Sequence, residues 1–440
     1  MKKNIIIFLG LLCSIFTIAQ NTQQENLDNL FNQFEKENKA MGSISIAENG
    51  IIVYQRSIGY ANLVTKTKAD EFTKYRIGSI TKTYTATIIL QLIEERKLNL
   101  NTLLKDYFPK IVNANKITIE HLLYHRSGLV NITSEDGFET WISKPRNRNE
   151  VLTKIIKNEI DFEPDTKKEY SNTNYILLSY IAEDIDEKSF SEIIKSRITK
   201  PLNLTRTQFG EEIKSAENEA FSYYWEDSKW NAITLETNLL GTMGAGAIVS
   251  TSKEVALFYD NLFSAKLITE ASLGKMTTVK DEMGMGISVL NFKGLTIYGH
   301  DGGIDGFRSI AAYIPEKNLA VSFTFNASNG SSTNTLIQIL ETYFENDDTL
   351  QSKSLIELTS KDLDIYLGTY SGTTFPAKVT FTKKENILFA KATGQPIFKL
   401  IAVKKDVFKY DAMGINFHFN PQDKIMILGL GEKEHVLKKE

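Results

Sequence analysis

Tyr75-Arg76-Ile77-Gly78-Ser79-Ile80-Thr81-Lys82 is the stretch whose reading decides the fold. Ser79 and Lys82 stand at i and i+3, so at the start of a helix they face the same way within hydrogen-bonding reach. A serine hydroxyl is a poor nucleophile until a base takes its proton. A lysine serves as that base only when burial or a nearby positive charge lowers its pKa from about 10.4 towards neutrality. The spacing alone is not specific, because Ser250–Lys253 and Ser272–Lys275 repeat it. Context separates Ser79: it opens a helix running to about Lys97, with Ile88, Ile89 and Leu92 on one face. Its backbone N–H, at a helix N-terminus, points where an oxyanion would form.

Two further segments carry chemistry that such a pair needs. Tyr170-Ser171-Asn172 offers a phenol to shuttle a proton to a leaving group, and an amide to bind substrate and steady the lysine. Tyr259-Asp260-Asn261 has the same spacing but lies in an apparent helix beside Leu257 and Phe258, and reads as core. His300-Asp301-Gly302-Gly303 ends an expected strand. Glycines there let a substrate lie against the strand edge, and the Gly303 N–H can complete an oxyanion hole. Arg308, across the next turn, is a candidate to receive a substrate's negative charge. His121 and His125 stand at i and i+4, a metal-binding spacing on a helix, but they fall in a segment that reads as structural.

Outward from these segments the chain alternates helix and strand. Leu27, Leu30, Phe31 and Phe34 mark an amphipathic helix, and residues 43–60 a hairpin turning at Asn49-Gly50. Short helices are expected over 118–125, from near Tyr175 and from Lys253, the last after the glycine-rich stretch 241–252. Strands follow at Gly286–Asn291, Leu295–His300, Phe307–Tyr313 and Leu319–Asn326, closed by a helix over Leu336–Phe344. Residues 346–360 are polar and read as a linker. After them, short alternating runs and turns predict a small all-β domain over 361–440.

Composition narrows the classes. The 440 residues carry ordinary hydrophobic and charged shares and a formal net charge of −3, so no basic field points to nucleic acid. Lys2, Lys3, the apolar run Ile5–Ile18 and small residues before Ala19 read as a signal peptide over 1–19, which predicts an exported, periplasmic or extracellular protein. Cleavage there would remove Cys13, the only cysteine, leaving no thiol for disulfides, catalysis or metal. No G-x-S-x-G elbow, H-E-x-x-H or phosphate-binding loop occurs.

Taken in order, the Ser79, Tyr170 and His300 segments resemble the serine β-lactamase and penicillin-recognising hydrolase superfamily. The resemblance is closer to its class C β-lactamase, D-alanyl-D-alanine carboxypeptidase and esterase group. Phe72–Lys82, His121–Leu129, Pro201–Leu204, Gly244–Ser252 and Gly299–Gly306 look like landmarks of that group, over roughly residues 25–345. The resemblance implies an α+β fold, an α/β sandwich with a helical subdomain and the site between them, covering 20–345. It implies a Ser79 acyl-enzyme, proton transfer by Lys82 and Tyr170, and substrate positioning by Asn172, with no metal or cofactor. His300 replaces the lysine of the K-T-G motif that attracts a substrate carboxylate, and a neutral histidine does so poorly. Asp301 stands where threonine or serine is usual, and Pro164-Asp165-Thr166 replaces P-G-T. Ester, amide or D-amino-acid peptide cleavage is therefore expected over β-lactam hydrolysis. The alternatives are a sensor of β-lactams or cell-wall peptides with little turnover, or a true β-lactamase. Small molecules or peptides are the expected partners, and oligomeric state is not legible.

Overall fold

The computed structural model describes residues 22–347, 350, 356–410, 413–430 and 433–440. The expected signal peptide lies outside the described residues, as does part of the expected linker. The described residues divide into two compact units. One holds the chain to Leu290 and Ile297–Tyr343; the other holds Asn291–Thr296 and Phe344–Glu440.

The first unit is built on a mostly antiparallel sheet whose strands Leu295–Ile304, Phe307–Ile314, Leu319–Ser328, Ala40–Glu48 and Ile51–Ile58 lie in that order, with Tyr223–Glu226 pairing parallel to Leu319–Ser328. The chain's first hairpin thus pairs with the last strand of this sheet, Leu319–Ser328, with Ile44 opposite Phe323. Ala40–Ala47 is buried at every position, so both sheet faces are covered. Ser45 faces helix Ser252–Phe263, its Oγ 2.9 Å from that of Ser252. Ile46 pairs with Tyr54, and Tyr54 packs on Phe31 of the helix over 22–36 and donates to Asp28. The apolar period read at Leu27, Phe31 and Phe34 is the buried face of that helix.

The helical layer centres on Thr81–Glu94 and Asn172–Asp186. Thr81–Glu94 is buried almost all round, which suits a helix inside a core. Four of its buried positions are threonines, and their hydroxyls are paired. Thr83 donates to the Gly286 carbonyl, Thr85 to that of Gly244 and Thr87 to that of Thr83. Such pairing removes the cost of a buried unpaired hydroxyl, about 1–3 kcal/mol each. Among the described residues no helix is long and apolar enough to cross a membrane.

The second unit is a nine-stranded antiparallel sheet in which the first strand, Gly368–Gly372, pairs with the last, Lys433–Lys439. Its open edges are the short neighbours Phe398–Lys399 and Ile401–Lys404, so the sheet is nearly closed on itself. Tyr366, Tyr370, Phe381, Phe408, Phe417 and Phe419 are buried and pack edge-on against one another. The fold is thus α+β with a small all-β unit at the C-terminal end.

Candidate active site

Ser79 sits in a 3-10 turn, Gly78–Ile80, that runs straight into the helix beginning at Thr81. One turn on, the Lys82 side chain is fully buried. Its Nζ lies 3.1 Å from Ser79 Oγ, 2.7 Å from Asn172 Oδ1 and 2.7 Å from the Ala245 carbonyl oxygen. Burial holds the ammonium well below the ordinary amine range, while the Asp301 carboxylate pulls the other way. The three acceptors fix the amine whether charged or neutral, and a neutral amine turns its lone pair towards Ser79.

Tyr170 donates its hydroxyl to Ser79 Oγ at 2.8 Å. Burial pushes this phenol up, so it stays protonated and able to donate near neutral pH. Its ring stacks on His125, centroids 4.5 Å apart, and lies 4.9 Å from Lys82 Nζ. Asn172 opens helix Asn172–Asp186. Its amide Nδ2 donates to Thr133 Oγ1 and Asn131 Oδ1, which turns Oδ1 towards Lys82. Asn172 lines the cleft, but both ends of its amide are engaged within the protein. Asn131, Thr133 and the Ala245 carbonyl were not legible in the sequence. Two act through loop side chains without a motif, and the third through a backbone atom.

Strand Leu295–Ile304 brings the third segment alongside. Ser309, opposite Gly302, donates to the Ile77 carbonyl at 2.8 Å. Gly302 lies beneath that carbonyl, where a Cβ would stand 2.0 Å from the oxygen, so only glycine fits. Gly303 lines the cleft beside Gly78 and Ser79. His300 is buried, and burial beside the Lys82 charge lowers its pKa to about 4, so its imidazole is neutral near pH 7. Arg308 is exposed, and its Nη1 donates to the Asp305 and Phe307 carbonyls of its own turn. The structure therefore brings Ser79, Lys82, Tyr170, Asn172, Gly302, Gly303 and His300 into one place, with Arg308 beside Gly303 but folded onto the turn.

The other serine–lysine spacings are not alike. Ser250 lies in a short strand, its Oγ 2.7 Å from that of Thr207, and Ser272 and Lys275 lie on helix Glu270–Thr277. His121 lies within helix Ile119–Leu123, its ring accepting from the N–H of the capping Thr118, whereas His125 lies beyond the helix end at φ +56°, so the two are not a helical pair. Among the described residues no group of three His, Cys, Asp or Glu side chains is placed to hold a metal.

The cleft holds about 260 Å³ and is lined by Ser79, Asn172 and Gly303 together with Phe138, Ile142, Ile176, Thr237 and Asp305. Asp305 is neutralised by the buried Arg76 at 2.9 Å, and its other oxygen accepts from Thr237. One lip of the cleft is thereby fixed.

The family described as Beta-lactamase matches residues 27–343. Protein flp of Staphylococcus aureus (strain COL) is 33% identical over 238 residues, 52% of this chain and 47% of the relative. The chain thus spans about half the length of the curated relatives it matches. The D-amino acid amidase of Ochrobactrum anthropi SV3, solved with L-phenylalanine amide, superposes with a TM-score of 0.63 at 24% identity, covering 74% of this chain and 99% of that one. The octameric penicillin-binding protein homologue of Pyrococcus abyssi gives 0.63 at 23% identity, over 94% and 99%. Those two likenesses speak for the fold. With the family match over most of the chain and a serine-centred site of the serine-hydrolase type, this chain belongs to the Beta-lactamase family.

Proposed function

We propose that the protein is an exported serine hydrolase acting through a Ser79 acyl-enzyme on ester, amide or D-amino-acid peptide substrates. The observation that carries this is Lys82: a wholly buried amine, depressed by that burial and held 3.1 Å from Ser79 Oγ. In the acylation step neutral Lys82 takes the Ser79 proton as Oγ bonds to the substrate carbonyl carbon. The N–H groups of Ser79 and Gly303 hold the developing oxyanion, and each such donor is worth about 2.7–4 kcal/mol in a serine hydrolase. Tyr170 passes a proton to the leaving group as its bond to carbon breaks. Lys82 then returns its proton to Tyr170, and water cleaves the acyl ester, its hydroxyl going to the acyl carbon and its other proton to Ser79 Oγ.

His300 favours substrates without a carboxylate over penicillins, because a buried neutral imidazole offers no cation to attract one. Export rests on the apolar run Ile5–Ile18 behind Lys2 and Lys3, and the mass of the protein recovered outside the cytoplasm tests it. The decisive experiment is labelling of the purified chain by a fluorophosphonate. Wild type should label with one adduct and Ser79→Ala should not label. Labelling of Ser79→Ala equal to wild type would sink the assignment. Lys82→Ala should slow acylation by roughly 10²–10⁴-fold.

A further inference from the structure

We propose that His125 is the positioning residue that holds Tyr170 as proton donor, and so admits substrates with basic leaving groups, amides and alkyl esters. This rests on the Ser79 acyl-enzyme reading and names the substrate class for it. A p-nitrophenolate leaves without a proton, whereas an amine or alkoxide must receive one as its bond to carbon breaks. The leaving groups that the site can serve therefore depend on how firmly Tyr170 is aimed at the reacting atoms.

Tyr170 lies in the loop before helix Asn172–Asp186, and His125 grips that loop at three consecutive residues. The His125 carbonyl accepts from the Glu169 N–H at 2.9 Å, and its Nδ1 accepts from the Ser171 N–H at 3.1 Å. Between those two bonds its ring stacks on that of Tyr170, centroids 4.5 Å apart. The imidazole also packs against buried Tyr175, at 5.1 Å, whose hydroxyl donates to the Leu123 carbonyl. The local backbone suits this residue. At φ +56°, past the end of helix Ile119–Leu123, His and Asn are enriched among residues other than glycine.

The ring is fixed in its protonation as well. Nδ1 faces two donors, the Ser171 N–H and Asn174 Nδ2, the latter at 3.4 Å. The Asn174 amide is turned that way because its Oδ1 accepts from Ser127 Oγ at 2.6 Å. An Nδ1 that accepts carries no hydrogen, so the neutral ring holds its one on Nε2. Burial, and next the Lys82 charge, keep His125 well below the ordinary imidazole range, in line with that tautomer. A neutral ring leaves Tyr170 its proton to give, where a stacked cation would favour the phenolate. His300 is set the opposite way: its Nδ1 lies 2.6 Å from the Asp301 carbonyl oxygen, so that nitrogen carries the hydrogen.

The test compares kcat/KM of the full chain on p-nitrophenyl acetate and ethyl acetate, which form the same acyl-enzyme and differ in leaving group. His125→Asn keeps the backbone preference and an oxygen for the Ser171 N–H but removes the stacked ring. His125→Phe keeps a ring but removes the acceptor. Each should raise the p-nitrophenyl-to-ethyl ratio at least tenfold, through kcat on ethyl acetate rather than KM. Tyr170→Phe should raise it too, and His125→Asn added to Tyr170→Phe should then change it less than threefold, since the histidine acts through the phenol. A rise below tenfold in either folded His125 variant, or a change of threefold or more once Tyr170 is gone, would overturn the proposal and leave the acyl-enzyme in place. A ratio unmoved by Tyr170→Phe, or ester hydrolysis by Ser79→Ala equal to wild type, would instead bring down the reading beneath it. A second measurement stands if neither His125 variant folds. His121 also accepts through Nδ1, and His121→Gln removes that ring while retaining a capping box. In 15N spectra of the histidine-labelled His121→Gln chain, one ring should keep its hydrogen on Nε2 and take up no second proton from about pH 9 to about pH 5. The absence of such a ring would overturn the proposal.

Discussion

The chemistry of the site turns on what surrounds one amine. Lys82 is depressed by burial and partly restored by Asp301, whose side chain is 72% exposed. Asp301→Asn removes the restoring charge, so the Lys82 pKa falls and the amine is free of its proton at lower pH. The acid limb of the acylation rate should therefore move to lower pH, by a small step because an exposed charge is screened. A pH–rate profile displaced the other way would rule out Lys82 as the titrating base. Ser79, Lys82, Tyr170 and His300 were legible because each is a side chain in a short motif. Asn131, Thr133 and the Ala245 carbonyl were not, because their effect depends on where loops meet. The departure at Asp165 has a local reason. Its φ is +65°, a conformation glycine usually supplies, and its carboxylate is paired with Arg126 at 2.6 Å.

At the scale of elements, two helices and one loop set the distance between Lys82 and its partners. Gly244 sits where they meet, its carbonyl accepting from Thr85 and its N–H donating to Ser179. A Cβ there would stand 2.7 Å from Ser179 Cβ and from the Tyr175 carbonyl oxygen. Gly244→Ala should push the loop outward and draw the Ala245 carbonyl from Lys82. The expected cost is about 1–3 kcal/mol of stability and roughly tenfold in acylation rate, with KM little changed; stopped-flow acylation and thermal melts read both.

The far ends of the two helices are joined by Arg197, which donates to Asp186 and Glu95. Arg197 holds the Asp186 carboxyl below its ordinary range and lowers that of Glu95 to about 2. Both groups contribute stability above their unfolded pKa and lose it as pH falls through the folded one. Arg197→Ala should thus cost roughly 1–2 kcal/mol near pH 7, mostly through the half-buried Asp186, since Glu95 is exposed and screened. The gap to wild type should narrow as pH falls from about 4 towards 2, as denaturant melts across that range would show. Helix Thr81–Glu94 was legible from apolar spacing at Ile88, Ile89 and Leu92, whereas the second helix opens at Asn172, three residues before its expected start near Tyr175. Their buried threonines were not, because hydroxyl pairing with distant carbonyls leaves no period in the sequence.

Across the whole molecule, the change from alternating helix and strand to short strands alone marked the C-terminal all-β unit in the sequence. Its near closure was not legible, since the pairing of Tyr370 with Lys439 joins positions far apart in the chain, and alternation within a strand does not name its partner. Each unit has its own core: one around helix Thr81–Glu94, the other an aromatic cluster. Chains with separate cores need not unfold in one step. Phe381 tests this, because it is buried and packs against Tyr370, Phe417 and Phe419 at centroid distances of 5.3, 5.6 and 4.8 Å. Phe381→Ala removes a ring from the middle of that cluster and should destabilise the β unit by about 3–5 kcal/mol. Calorimetry of the full chain should then show one transition moved down and another held. Fluorophosphonate labelling of Ser79, followed through the same temperatures, should be lost only at the transition that holds. A single transition shifting as a whole, with labelling lost alongside it, would mean that the two cores unfold as one.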